Sequence, residues 1–176
     1  MRKLEFAKKS ITTVKGYLPE QEEFAALFAI QNAINENVGA VVIEAARIER
    51  LFEHVIARYF SITDSNLQDV FYQEIVHSSS MMASSKRTLI LRIMKELDYL
   101  SGLQLSECEK CFSRLIKYRN ALIHGRVEFT ENGPILFYYE GAPRSAPMND
   151  EYWDKLKQYF EQASEYAEGL QTKIIG

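Results

Sequence analysis

The feature that most constrains the fold is a helical repeat of apolar residues between residues 38 and 60. These residues recur in steps of four and three, which places them on one face of an α-helix: Val41, Ala45, Ile48, Phe52, Val55 and Tyr59. The other faces carry charged side chains that remain in water. A helix with one apolar stripe must bury it against other elements, so the repeat predicts a helical bundle.

Further helices are predicted from their end signals. Pro19 followed by acidic residues is typical of a first helical turn, because proline fixes a helical φ and carboxylates favour the positive end of the helix dipole. Asn149 or Asp150 can cap a last helix. Gly39 is expected near the start of the 38–60 helix. Gly102 is expected to end the 85–100 helix. The predicted helices outside the repeat cover residues 20–37, 69–77, 85–100, a segment ending at His124, and 150–172.

The pattern changes from helical to alternating after residue 125. Apolar residues then occupy every second position on either side of Asn132-Gly133, a pair that strongly favours a β-hairpin. This predicts a hairpin over about 127–140, followed by a loop over 141–149. A two-stranded ribbon is unstable alone, so it must pack on the bundle or extend a partner's sheet. Near the N-terminus, residues 11–14 form either a short strand or an ordered arm.

Composition predicts one domain. A chain of 176 residues, 47% hydrophobic and 26% charged, can bury a core without disulfides or metals. No N-terminal stretch has the zones of a signal peptide, and uninterrupted apolar runs are much shorter than a membrane span. We therefore expect a cytoplasmic protein that does not enter a membrane.

The two cysteines are predicted to be core thiols. Cys108 and Cys111 lie three apart on the apolar stripe of one helix, without the second ligand pair that a zinc site needs. The sequence therefore predicts no metal and no cofactor.

Candidate chemistry lies where that helix ends, in the stretch Lys-Tyr-Arg-Asn-Ala-Leu-Ile-His-Gly (117–125). At 100° per residue, Arg119 lies at about 20° from Cys108 on the helical wheel, in the register of a leucine. Asn120 and His124 are four apart and share a neighbouring face. Gly125 is the expected helix-ending residue. An arginine, an asparagine and a histidine therefore gather at one helix C-terminus.

These side chains are the minimum set for metal-free cleavage of RNA. A helix C-terminus favours imidazolium, so His124 could hold and pass a proton. Arg119 and Asn120 could hold a phosphate. In such a reaction the ribose hydroxyl attacks its own phosphate, the histidine moves protons and the arginine neutralises the transition state.

A structural interpretation competes with the catalytic one. An arginine followed within a few residues by a histidine is common by chance, and Arg47 to His54 also fits the pattern. Arg119 would then be a snorkelling or salt-bridged side chain and His124 a helix cap. We expect the 38–60 helix to offer a carboxylate, Glu44 or Glu49, to Arg119.

Arg-Asn-Ala-Leu-Ile-His-Gly near the end of a bundle helix resembles the signature of the HEPN superfamily (higher eukaryotes and prokaryotes nucleotide-binding), written as Arg, four to six residues, His. The resemblance covers about residues 20–125, through a long early helix and a middle helix opening at 84–91. It implies an all-α bundle. Many members are metal-independent endoribonucleases that act as dimers, often as toxins or in defence, and others lack activity. The resemblance implies Arg119 and His124 as catalytic residues and Asn120 as a supporting one.

Charge is distributed unevenly. The net charge is −3 and the pI near 5.7, which would not by themselves attract a polyanion. Residues 86–126 nevertheless contain nine basic and four acidic residues, a net +5, against −8 for the rest. Arg114, Lys117 and Arg126 could guide a phosphate backbone towards the motif. The alternative is an ordinary solvated helix face of mixed charge.

The sequence therefore predicts one HEPN-like domain over residues 1–176, an all-α bundle of about five helices with a late β-hairpin. The leading function is a metal-independent endoribonuclease that cleaves RNA as a homodimer, as a toxin or defence effector with an antitoxin or regulatory protein as a further partner. The alternative is a non-catalytic interaction or regulatory module, like the similar mannitol operon repressor group, in which Arg119 and His124 lock a helix end. Nucleotide binding without turnover ranks last, because no glycine-rich phosphate loop is present.

Overall fold

The computed structural model describes residues 20–60, 65–78, 81–130 and 132–175. This part of the chain is mostly helical, with five α-helices and a three-stranded antiparallel sheet late in the sequence. The helices are α1 (Glu20–Tyr59), α2 (Ser65–Val70), α3 (Ala83–Glu96), α4 (Gly102–His124) and α5 (Asp150–Ile175). The strands are β1 (Arg126–Thr130), β2 (Gly133–Tyr139) and β3 (Pro143–Pro147). Residues 1–19, including the predicted arm at 11–14, lie outside the described residues.

Two compact units divide the chain. The sheet unit comprises Met1–Glu44 and Lys117–Gln158, and the helical unit comprises Ala45–Ile116 and Tyr159–Gly176.

The predicted break between two early helices is wrong. Helix α1 is continuous for 40 residues and runs through Gly39. The buried stripe also continues across the glycine, since Ile34, Asn37 and Val41 are buried at helical spacing before it joins the predicted Ala45 series. Packing on that face outweighs the modest helix-breaking tendency of a single glycine.

Helix ends between residues 65 and 102 also differ from prediction. Helix α2 passes directly into a π-helical segment, Phe71–Val76. Helix α3 ends at Glu96, and Asp98 takes the left-handed conformation (φ 49°) that the prediction gave to a glycine further on. Gly102, also left-handed (φ 53°), begins α4 instead of ending the preceding helix.

The helical unit has an apolar core as the stripes predict. Phe52 of α1 makes an edge contact with Phe112 of α4 (centroids 4.8 Å apart), and Phe112 contacts Tyr166 of α5 (6.3 Å). The thiol of Cys108 lies 3.7 Å from the sulfur of Met94 on α3. The Cys111 thiol donates to the Tyr159 carbonyl at 3.1 Å, and both cysteines are buried, which confirms them as core residues.

The sheet unit contains one strand more than predicted. Strands β1 and β2 form the expected hairpin, with Thr130 paired to Gly133 (φ 104°) at the turn. Residues 143–147, expected as part of a loop, instead pair with β2 as β3. A proline at each end of β3 is tolerated because β3 is an edge strand.

Helix α5 begins as predicted. The Oδ1 atom of Asn149 accepts a hydrogen bond from the Tyr152 backbone N–H at 3.0 Å, the arrangement of an N-cap. The apolar stripe of α5 is buried throughout: Trp153, Leu156, Phe160, Ala163, Ala167 and Leu170.

Part of α1, Ala25–Tyr59, is long and apolar enough to cross a membrane, judged by length and composition alone. The core helix of a soluble protein and a signal sequence near the N-terminus both pass the same test. Exposed apolar side chains on this stretch include Leu27, Phe28 and Ile43.

Candidate functional site at the end of helix α4

The predicted catalytic residues occupy the last two turns of α4, which ends at His124. Asn120 and His124 are exposed, and Arg119 is half-buried. Its neighbours Ala121 and Leu122 are buried and hold this turn against the sheet unit's interior. Polar groups thus face solvent from a backbone fixed by packing.

The Arg119 guanidinium bonds to the side chain beside it. Its Nη1 donates to Oδ1 of Asn120 at 3.2 Å. Helix geometry places Arg119 and His124 about 140° apart around the axis, with roughly 9 Å between their Cα atoms, but Asn120 and His124 only about 40° apart. The bond to Asn120 therefore draws the guanidinium towards the face that carries His124.

Within the described residues the motif has neither the salt bridge nor the helix-capping bond of the structural interpretation, and the half-buried Arg119 still fits a snorkelling side chain. Arg119 forms no salt bridge there, and the His124 ring makes no hydrogen bond to the preceding helical carbonyls or to any other described group. An exposed imidazole and a guanidinium held only by a neutral amide can both reach a ligand.

The second match to the arginine–histidine pattern gives a contrast within the chain. Arg47 on α1 bonds to Glu168 Oε1 at 2.9 Å and to the hydroxyl of Ser164. Burial alone would raise the pKa of Glu168, but bonds from Arg47 and Ser164 hold that pKa below its usual range. Arg47 is thus a structural arginine, with the carboxylate partner that Arg119 lacks among the described residues.

Gly125 ends α4 as predicted, for a steric reason. Its N–H donates to the Ala121 carbonyl at 2.8 Å. A Cβ at this position would lie 2.3 Å from that carbonyl oxygen, 2.7 Å from Leu136 Cδ1 and 2.9 Å from the Phe137 carbonyl oxygen. Glycine therefore lets β2 pass directly beneath the motif.

The predicted RNA-guiding cations are all exposed, and each has a partner. Lys117 pairs with Glu140, and Arg126 pairs with Glu128. Such exposed pairs contribute about 0–1 kcal/mol, so an incoming phosphate can displace them.

Arg114 lies on α4 in the part of that helix that belongs to the helical unit. Its guanidinium lies 4.7 Å from the Tyr159 ring centroid, and Nη1 bonds to the Tyr159 hydroxyl at 2.5 Å. The structure therefore gives Arg114 a packing role on α5.

Glu49, one of the two carboxylates expected at Arg119, has a partner in its own unit. Glu49 Oε1 accepts a bond from Lys86 Nζ at 2.9 Å within the helical unit. Lys86 itself is only 3% exposed and also binds Glu53 Oε1 at 2.6 Å. Sequence patterns missed this buried pair because its members lie on separate helices, α1 and α3, at positions that look like ordinary surface charges.

A histidine completes the buried cluster. His77 Nδ1 lies 2.8 Å from Glu53 Oε2, and the Tyr72 hydroxyl donates to the same oxygen at 3.4 Å. Burial would raise the pKa of Glu53, but bonds from Lys86 and His77 outweigh burial and lower it. Burial would lower the pKa of Lys86, but its bonds to Glu53 and Glu49 raise it.

The cysteines are unreactive in this setting. Burial raises the pKa of Cys111 to about 12 and raises that of Cys108 as well, so both remain thiols. Among the described residues, no group of three or more His, Cys, Asp or Glu side chains could hold a metal ion.

Comparisons with known proteins identify no relative: no family model, curated protein or solved structure matches the chain.

Proposed function

We propose that the chain is a HEPN-type, metal-independent endoribonuclease whose site is the Arg119–Asn120–His124 motif. The contrast between Arg119 and Arg47 supports this most directly. Arg47 is neutralised by Glu168, whereas Arg119 contacts only a neutral amide within the described chain. An arginine with no carboxylate partner among the described residues and an exposed histidine at the same helix end suit an anionic substrate.

Each motif residue has a role in the proposed reaction. His124 accepts the proton of a ribose 2′-hydroxyl as its oxygen attacks the adjacent phosphorus. Arg119 stabilises the added charge on the phosphorane-like transition state, and Asn120 orients the guanidinium or the phosphate. The bond to the 5′ oxygen breaks, that oxygen takes a proton from water, and the protonated His124 returns its proton to the solvent. The products end in a 2′,3′-cyclic phosphate and a 5′-hydroxyl.

A homodimer is part of the proposal. Arg119 and His124 diverge around one helix, so two copies facing each other across a cleft would supply an arginine and a histidine to each side of a phosphate. Lys117 and Arg126 lie in the same unit as the motif and would contact the flanking backbone after leaving their exposed carboxylate partners.

The test is incubation of the purified protein with mixed-sequence RNA in excess EDTA. We expect cleavage by wild type, loss in His124→Ala and Arg119→Ala, and retention in Lys110→Ala, which removes an exposed cation of the same helix outside the motif. Each variant is checked for folding by circular dichroism and thermal denaturation.

Intact RNA at high protein concentration, or cleavage that survives both motif substitutions in folded protein, would contradict the proposal. The non-catalytic interaction module would then be the better account.

A further inference from the structure

A cavity of about 360 Å³ lies within the helical unit, away from the α4 motif in sequence. Its wall combines charged, imidazole and thioether groups: Arg50, Glu53, His77, Met81, Met82 and Lys86. This volume suits a small organic ligand.

His77 is held at the cavity by three independent contacts. Its backbone N–H donates to the Tyr72 carbonyl at 2.7 Å, a five-residue step characteristic of the π-helix that precedes it. Its ring stacks on the Tyr72 ring (centroids 5.7 Å apart, planes at 9°), and its Nδ1 bonds to Glu53. π-Helical turns often occur at functional sites, where the extra residue re-aims a side chain.

The His77 side chain is 53% exposed, and three contacts are many for a side chain at the surface. Glu53 is ionised beside Lys86, so the Nδ1 of His77 carries the hydrogen in their bond. The same bond leaves Nε2 for a ligand.

One cation of the cavity wall, Arg50, has no ion-pair partner among the described residues. Lys86 binds both carboxylates of the wall, Glu49 and Glu53. Arg50 is exposed, lines the same cavity and forms no hydrogen bond or ion pair within the described ranges. With neutral His77 the cluster of Arg50, Lys86 and the two carboxylates has no net charge, and a proton on His77 makes it positive.

We propose that this cavity binds a phosphate group, free or as the monoester of a small molecule, through the Arg50 guanidinium and Nε2 of His77. The planar guanidinium matches two phosphate oxygens. Nε2 accepts a hydrogen bond from a P–OH group or, when protonated, donates one to a phosphate oxygen. Met81 and Met82 form an adaptable apolar wall for the organic part of a monoester.

The test is titration of the whole protein with inorganic phosphate and, separately, with phenyl phosphate, followed by calorimetry and by the NMR signals of the histidine rings. We expect saturable binding that shifts the His77 ring signals, weakened about tenfold or more in Arg50→Ala and in His77→Gln, because each loses a charge-assisted hydrogen bond. Tighter binding of phenyl phosphate would identify a monoester as the ligand, and equal binding would identify phosphate itself.

The matched control is Arg58→Ala, an exposed arginine of the same helix that lines a different cavity. Binding must survive this substitution. The proposal would be overturned if neither phosphate nor phenyl phosphate bound saturably. It would also be overturned if Arg50→Ala bound them as tightly as wild type, or if Arg58→Ala lost as much affinity as Arg50→Ala. If His77→Gln fails to fold, Arg50→Ala decides the result alone, because Arg50 is exposed and contributes to no described ion pair.

Discussion

The end of α4 and the Glu53–Lys86 cluster differ in how far their polar side chains are exposed and in whether their charges are paired. At the end of α4, Asn120 and His124 are exposed, and among the described residues the Arg119 guanidinium bonds only to the Asn120 amide. In the cluster, Lys86 and Glu53 are almost completely buried and form an ion pair with each other. The first arrangement contributes little to folding and leaves side chains available to a ligand.

In the buried cluster, stability depends on the charges staying paired. Ions removed from water are costly unless paired, so losing one partner leaves a charge that nothing neutralises. Substitutions should therefore separate the two regions: changes in the cluster alter stability, and changes at the motif alter chemistry.

The largest effect on stability is expected from Lys86→Met. It leaves Glu49 and Glu53 without their cation, and breaking a buried pair in this way costs about 3–5 kcal/mol. Urea denaturation measures the change. Lys95→Met on the same helix removes an exposed charge and should change the free energy of unfolding by about 0.5 kcal/mol or less. Equal effects from the two substitutions would contradict the buried role of Lys86.

A smaller loss is expected from Gly125→Ala. The added Cβ would meet two carbonyl oxygens within 3 Å, so the end of α4 or strand β2 must shift, at a cost of about 1–3 kcal/mol. Gly39→Ala is the matched control, since nothing lies within 4 Å of its Cβ position in the middle of α1. It should stabilise the protein by about 0.5–1 kcal/mol. Thermal denaturation of both variants checks the opposite signs.

Acid should weaken the cluster in a way that depends on Glu53. Its pKa is lower in the folded than in the unfolded chain, so its contribution is full above about pH 4.3, the usual value for glutamate, and is lost as pH falls through the folded pKa. The free energy of unfolding, measured in urea from pH 7 to pH 3, should decline less steeply in Glu53→Gln than in wild type. An equally steep decline in Glu53→Gln would contradict this role of Glu53.

The smallest effect on stability is expected from Asn120→Ala. The exposed amide holds Arg119 by one 3.2 Å hydrogen bond, so its loss should change the free energy of unfolding by about 0.5 kcal/mol or less. If the amide positions the guanidinium, RNA cleavage should nevertheless slow. Unchanged cleavage alongside unchanged stability would remove Asn120 from the site.

Features that follow from local sequence, such as buried helix faces and helix ends, were predictable. Features that depend on contact with distant residues were not. Apolar stripes identified the buried faces of α4 and α5, and Asn149 and Gly125 marked helix ends, because these signals are local. Strand β3 was missed because its Pro-Arg-Ser-Ala-Pro sequence has no apolar alternation, and only pairing with β2 makes it a strand.

The place of the candidate residues on one helix end was predictable from their spacing, but their surroundings were not. The motif spacing predicted that Arg119, Asn120 and His124 lie at one helix end. Spacing along one helix cannot predict ion-pair partners, because a carboxylate on another helix can bind a different cation. Glu49 was expected at Arg119 and binds Lys86. The Glu53–His77 contact depends on a π-helical turn that no sequence periodicity indicated.

The most direct test of the central claim measures RNA cleavage and the free energy of unfolding together in His124→Ala. We expect the cleavage rate in EDTA to fall by about 10²–10⁴-fold, the usual contribution of a general acid or base. Stability should change by about 0.5 kcal/mol or less, because the ring is exposed. An unchanged cleavage rate, or a loss of stability large enough to account for lost cleavage, would contradict the claim that this helix end is a catalytic site.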